Sequence, residues 1–382
     1  MKQLKILITL VTLTLNLSAD SFEKQIFQGG IWEHLNPHLH AYHAMGDTST
    51  EASTLAAGAH DPSREDGTLQ AIEFGASLDY DHLQGFITYN TSYGASQEWE
   101  GGIEEGFIKL VELPADFEVR GGKMLGRFGA QNTQHIHAWA EVDRPIVLSQ
   151  FLGEDGLNIK GVDITGFLPT EEIIGATVGF GRYQTHEEES HGEEEEEHEE
   201  ESHAIEFKRN LASLRFFLHH NPNDFNKWEL GASYLEGKNS LDRRTRVYGL
   251  DATYKWRENG LEVDGKAFTL QNELLWRTIK TNGTFEDNNI DNKQDQWGFY
   301  SSALYTHNTN WDGGARVEQV SDIKDLEIEK RTRLSPHLTY YPLKSHLLSI
   351  RLQYNHDILE DRSENGIWLQ FGFSFSAGPE VR

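Results

Sequence analysis

His186, His191, His198 and His203 punctuate a run built only of histidine, glutamate, serine and one glycine, HEEESHGEEEEEHEEESH. Imidazole nitrogens and carboxylate oxygens are natural donors for Zn²⁺ and related divalent ions, and a flexible chain can gather three or four of them around a tetrahedral ion. Glu188, Glu195 and Glu200 lie between the histidines and supply the carboxylates. The run has no apolar side chain to offset the entropy of ordering, so it is expected to be a solvated loop. Such a loop should concentrate an ion more than hold it, with modest affinity and poor selectivity. A charged, solvating segment is the plain alternative, yet solvation alone needs no histidine every five to seven residues.

A second stretch, GRFGAQNTQHIHAWAEVDRPIVLSQFLGED from Gly126 to Asp155, gathers Asn132, His135, His137, Glu141, Asp143 and Arg144. In an extended segment His135 and His137 would share one side, about 7 Å apart, and a nearby carboxylate would complete a metal site. Structural roles are equally available: Trp139 as an anchor, Arg144 paired with Asp143 or a neighbouring acid, Pro145 stiffening the return. Asn132, Glu141, Asp143 and Arg144 are candidates for lining a constriction if this stretch folds into a pore. Catalytic signatures are missing: there is no Gly-x-Ser-x-Gly elbow, no His-Glu-x-x-His, no phosphate-binding lysine loop and no cysteine. No enzyme activity and no prosthetic group is expected.

The elements that must carry these groups read as strands. Residues 1–19 form a secretory signal, with Lys2 and Lys5 ahead of an apolar stretch and Leu17-Ser18-Ala19 at its end. A short segment, 20–37, follows. The net charge is −27 and only 37% of residues are hydrophobic, low for a water-soluble protein that must bury a large core. No later segment has the roughly 18 consecutive apolar residues of a membrane helix. An exported, acidic, aromatic-rich chain with 35 glycines and no cysteine fits an outer-membrane barrel, one face toward lipid and one toward a polar lumen. The acidic balance excludes nucleic acid as a partner and favours a cationic solute.

Alternating segments of about ten residues support that reading. They are 38–45, 69–80, 83–93, 104–113, 117–127, 156–168, 173–184, 211–220, 228–236, 246–256, 267–280, 297–307, 311–320, 334–341, 346–355 and 366–375. The expectation is an all-β, transmembrane antiparallel β-barrel of about 16 strands over 38–375, with 376–382 as a tail. Alternate connections are tight (81–82, 114–115, 169–172, 221–226, 308–310, 342–345). The others run long (46–68, 128–155, 186–203, 281–296, 321–333), and 257–266 is the one longish exception. Short-inside, long-outside asymmetry places the His/Glu loop at the cell exterior and both termini in the periplasm. On the first strand His38 and His40 should share a face with His43 opposite, so no site uses all three. Tyr80, Tyr93, Trp228, Trp256, Trp276, Trp297, Trp311 and Trp368 are expected in the interfacial girdles.

The motifs Phe107-Ile108-Lys109-Leu110-Val111-Glu112-Leu113-Pro114, Gly121-Gly122-Lys123, Gly126-Arg127-Phe128-Gly129, Asn132-Thr133-Gln134-His135-Ile136-His137-Ala138-Trp139 and Val142-Asp143-Arg144-Pro145 resemble a bacterial family of zinc-regulated outer-membrane barrel proteins. The Gly-Lys and Phe-Gly arrangement is similar, more loosely, to phosphate-selective porins. Members of the zinc-regulated family often carry a His/acid-rich insertion, and the specific likeness covers about Phe107 to Pro169. The resemblance implies a response to zinc limitation and passage of zinc, or a zinc complex, across the outer membrane. Family members are often labelled TonB-dependent receptors. This chain has no room for a plug and shows no energy-coupling box, so TonB coupling is not expected.

Taken together, the expected protein is a transport barrel that captures divalent metal, zinc favoured, at the His/Glu loop and passes it into the periplasm. Its partners would be outer-membrane lipid, divalent ions and the barrel-assembly machinery, and a homotrimer is one arrangement open to it. A surface metal-binding or interaction protein with a closed barrel, and a general or anion-selective porin, stand as alternatives.

Overall fold

A computed structural model describes residues 33–184, 207–261, 265–281, 293–326, 328–343 and 345–378. The expected signal segment 1–19, most of 20–37, the His186–His203 run with all seven of its candidate ligands, and residues 379–382 lie outside the described residues.

Alternation of apolar and polar side chains favours a strand with one wet and one dry face, and sixteen such strands form here. They are β1 Leu35–Thr48, β2 Thr68–Tyr80, β3 Leu83–Tyr93, β4 Trp99–Leu113, β5 Phe117–Leu125, β6 Asn158–Phe167, β7 Ile173–Tyr183 and β8 Phe207–Asn223. The second half holds β9 Asn226–Asn239, β10 Arg244–Arg257, β11 Ala267–Lys280, β12 Lys293–Asn308, β13 Trp311–Val320, β14 Arg331–Tyr340, β15 Leu348–Ile358 and β16 Ser363–Ser376. Each strand pairs antiparallel with its neighbours in sequence, and β1 pairs with β16, closing the barrel. Every expected strand is present, several longer than the alternation alone indicated. β4, for example, begins at Trp99 and not at residue 104.

The outer wall is a belt of exposed apolar side chains: Ile87, Ile108, Val162, Phe180, Phe216, Leu250, Leu274 and Leu338. In water this belt would be a large liability; in a bilayer it is the solvent contact. Tyr80, Trp228, Trp276, Trp297 and Trp311 also lie on that exposed face. Trp368 is a correction to the expected girdle. It is 2% exposed and packs with Ala44, Ala52 and Val142, because its position in β16 has lumenal parity.

The connections 49–67, 126–157 and 321–330 lie at one end of the barrel together with the four-residue turns 240–243 and 359–362, and the other end holds the tight turns, the longer connection 258–266 and both described chain ends. The connection after β1 contains a short helix, α1 (Ala52–Leu55). The one after β5 turns into the lumen and contains a 3₁₀ turn, Ile136–Ala138, and a helix, α2 (Ile146–Leu152). Pro145 leads into α2 and Gly153, at φ 96°, takes the left-handed conformation that ends it. The helix buries Ile146, Val147, Leu148, Phe151 and Leu152 against Leu235, Val247, Leu275, Tyr300 and Val320, an apolar patch on the lumenal wall of β9 to β13. The main described core therefore lies inside the barrel and fixes the inward loop in place.

Candidate metal centre in the barrel lumen

The inward loop and three strands, β1, β2 and β4, bring histidine and glutamate side chains into one buried cluster. His40 on β1 stands directly across from Glu73 on β2, and Glu73 directly across from Asn90 on β3. Cross-strand partners point to the same face, so the three form a row on the lumenal wall. β4 extends the row through a bulge. Thr88 pairs with Glu105 and Tyr89 with Ile103, leaving Glu104 as the extra residue, and both glutamates turn inward. Their exposures are 7% and 2%.

The loop supplies the facing groups. His135 Nε2–H donates to Glu105 Oε2 at 2.8 Å, and His135 Nδ1 lies 3.3 Å from Glu104 Oε2 and 3.6 Å from Glu73 Oε1. His137 Nδ1 is 3.0 Å from Glu73 Oε2, and its ring stacks on His40 with centroids 3.9 Å apart. His40 Nδ1 reaches Ser374 Oγ on β16 at 2.8 Å. His60 joins at the margin, its Nε2 3.8 Å from Glu104 Oε1. Burial disfavours a charge on His135, but Glu104, Glu105 and Glu73 outweigh it and hold the imidazole well above its ordinary pKa.

Mixed imidazole and carboxylate donors at this spacing suit a first-row divalent cation. Donor atoms from His40, Glu73 and His137 lie within 4.8 Å of one another, as do those from Glu73, Glu104 and His135. The expected pair His135 and His137 is thus brought to carboxylates, though by a 3₁₀ turn in place of an extended segment. Their rings are nearly parallel at 5.9 Å. His38 and His40 share the lumenal face and His43 sits on the other side, as the period of two requires.

Asn132, Glu141, Asp143 and Arg144 are buried and bind the loop to itself and to the wall. Asn132 Oδ1 accepts from Arg144 Nη2 at 2.8 Å and from the Leu157 amide at 2.9 Å. Glu141 accepts from Ser302 Oγ at 2.5 Å. Asp143 accepts from Arg316 and Arg333 at 2.7 Å each, from Gln353 at 2.7 Å and from Asn355 at 2.8 Å. Burial alone would raise the Asp143 pKa, but the two guanidinium groups hold it down at about 2. On the other side of the loop, Glu273 accepts from the Ala130 and Gln131 amides. Gly129, at φ 63°, leaves room for that carboxylate where a Cβ would run into it.

Beside the loop lies a polar cavity of about 440 Å³. Its wall carries Lys109, Arg127, Arg215 and Lys255 alongside Glu118, Glu229 and Asp251. These charges are interleaved as pairs, Arg215 with Asp251 at 2.7 Å and Lys255 with Glu229 at 3.1 Å.

The fold is that of a porin barrel. The channel DcaP of Acinetobacter baumannii superposes with a TM-score of 0.57 at 10% identity, covering 89% of this chain and 96% of that one. An anion-selective porin from Comamonas acidovorans gives 0.55 at 9% identity, covering 89% and 98%. By sequence the chain is similar to an uncharacterised protein of Aquifex aeolicus, 26% identical over 238 residues, covering 57% of this chain and about half, 48%, of that relative. No protein-family profile matches the chain.

The residues that the sequence did not single out are Glu73, Glu104 and Glu105, and His40 as a partner of His137. A signal for the bulge was present: Ile103 and Ile108 both face outward yet are five apart, an odd spacing that an unbroken strand cannot give.

Proposed function

We propose that this protein is a bacterial outer-membrane transport barrel for divalent metal, zinc foremost. The observation that carries the reading is the buried cluster of His40, Glu73, Glu104, His135 and His137, donors from three strands and the inward loop placed at metal-ligand spacing. The apolar outer belt and the porin-type barrel support an outer-membrane location. In this reading the long-connection end faces the exterior, the His186–His203 loop collects ions there, and the lumenal cluster receives them. Transport then proceeds by binding and diffusion, with no bond chemistry and no prosthetic group. The motif resemblance to the zinc-regulated family supports zinc over other ions. The barrel would be inserted by the assembly machinery, with both termini periplasmic, and a homotrimer is consistent with the porin fold.

The test is zinc influx into liposomes that carry the refolded protein and an internal indicator. Three proteins are compared: the intact chain, a chain lacking His186–His203, and a His135→Ala/His137→Ala variant. Influx through the intact protein, slowed at low external zinc by either change, is the expected result. Absence of influx through the intact protein sinks the transport reading and favours a closed surface binder.

A second reading, a general or anion-selective porin, is favoured by Lys109, Arg127, Arg215 and Lys255 in the cavity wall. Reversal potentials in a potassium chloride gradient separate the two, since a divalent-cation pathway gives cation preference and a basic eyelet gives the opposite sign.

A further inference from the structure

We propose that Glu73 is a bridging carboxylate for a pair of divalent cations, one held with His40 and His137 and the other with His135 and Glu104, and that the pair latches the inward loop to the wall. This deepens the reading above and rests on its assignment of the lumenal cluster as a metal site.

Three observations carry it. First, the two oxygens of Glu73 serve different groups: Oε2 lies 3.0 Å from His137 Nδ1 and Oε1 lies 3.6 Å from His135 Nδ1. Glu73 is the member that the two sets of three donor residues share. Secondly, Glu73 Oε1 and His135 Nδ1 make no hydrogen bond, although these residues are only 1% and 2% exposed. Their separation is long for a hydrogen bond but close to the edge of a tetrahedron around zinc, which bonds of about 2.0–2.2 Å set at roughly 3.3–3.5 Å. His135 Nδ1 to Glu104 Oε2, at 3.3 Å, fits the same edge.

Thirdly, the outer partners are those that orient ligands. His135 donates its Nε2–H to Glu105, and its Nδ1 faces two carboxylate oxygens. His40 Nδ1 is engaged by Ser374, and Asn90 Nδ2 donates to Glu104 Oε2 at 3.2 Å. A carboxylate behind a ligating imidazole fixes its tautomer and raises its basicity. A lone pair aimed at two carboxylates is repelled unless something positive lies between them. The choices are a proton on Nδ1 or a metal ion, and the donor chemistry suits zinc, iron or manganese in the divalent state. Because His135 and His137 come from the loop while His40, Glu73 and Glu104 come from the wall, either ion ties the two together.

The experiment counts tightly bound Zn²⁺ by mass spectrometry after equilibration with a competing chelator. It uses the full chain, Glu73→Gln, His40→Asn and Glu104→Gln. The His186–His203 loop is the same in all four, so its contribution cancels in the differences. The expected result is two ions lost in Glu73→Gln and one in each of the others. Equal zinc in the full chain and Glu73→Gln overturns the site and leaves the protonated imidazole. A loss of one ion in all three variants overturns the bridge. If Glu73→Gln does not fold, judged by its heat-dependent gel mobility, the His40→Asn/Glu104→Gln double variant takes its place and should lose two. Hydrogen exchange at amides 135–138 reads the latch: zinc should slow it about tenfold in the full chain, and no change overturns that part. Influx measured in parallel separates the failures. Two ions bound without influx sinks the transport reading alone; influx without Glu73-dependent ions sinks this one alone.

Discussion

Replacing Asp143 by alanine should release the inward loop from β13, β14 and β15. The carboxylate accepts from two guanidinium groups, Arg316 and Arg333, and from the amides of Gln353 and Asn355. Removing one side of a buried ion pair costs about 3–5 kcal/mol. Arg316 keeps Glu318 at 2.9 Å and Arg333 keeps Asp357 at 2.9 Å, so neither cation is stranded and the lower end, about 3 kcal/mol, applies. The lowered pKa of Asp143, set by the same two guanidinium groups, gives a figure of the same size. A shift from about 3.9 to about 2 is worth about 2–3 kcal/mol. At about 1.4 kcal/mol per factor of ten, the open population of the loop should rise roughly a hundredfold. Single-channel recording in planar bilayers should then show larger or more frequent wide-open events, and hydrogen exchange at 141–146 should quicken by a similar factor. Conductance and exchange both matching the parent would refute the reasoning and assign the fastening to Glu273 and the α2 core.

Acid should act on the same fastening. Because its folded-state pKa is depressed, Asp143 contributes fully above about pH 4, and the contribution is lost as pH falls toward about 2. Exchange at 141–146 should therefore quicken over that window in the parent but much less in Asp143→Asn. Phe151→Ala removes a ring that is 1% exposed and lies under the Arg277 guanidinium at 4.8 Å. It should cost about 3–5 kcal/mol in urea unfolding from detergent micelles, and an unchanged midpoint would show that α2 is not packed as described. Ile108→Arg places a charge at an outward position that is 59% exposed, and should lower stability in refolding to liposomes by about 2–4 kcal/mol. No loss there would mean that this face does not meet lipid.

The barrel was legible because its strands obey one rule. A period of two with an apolar outer set survives even where the lumenal set is charged, so Leu69, Leu83 or Trp311 marks a strand without knowledge of its partner. The candidate site was legible only in part. His135 and His137 stand out by proximity in sequence, but Glu73, Glu104 and His40 lie on other strands, and strand alternation gives which face a residue takes, not which distant loop will meet it. Asp143 and Arg144 read as partners of each other or as groups lining a constriction for the same reason: their partners, Arg316, Arg333 and Asn132, are set by where the loop folds. Trp368 misled because aromatic character at a strand end is shared by lipid girdles and lumenal cores, and only parity along β16 separates them.

The hydrogen bond between His40 and Ser374 crosses the seam where the first strand meets the last. That seam cannot form until all sixteen strands are made and the sheet curls shut, which also removes the two exposed edges. Glu73, Glu104 and the histidines of the inward loop are all in place earlier along the chain, yet His40 is oriented only at the final step. The cluster is thus finished by the same event that completes insertion, and an unfinished sheet would present acids and a swinging imidazole instead of a formed cage. Bound metal would then serve as a chemical record that the ring had closed.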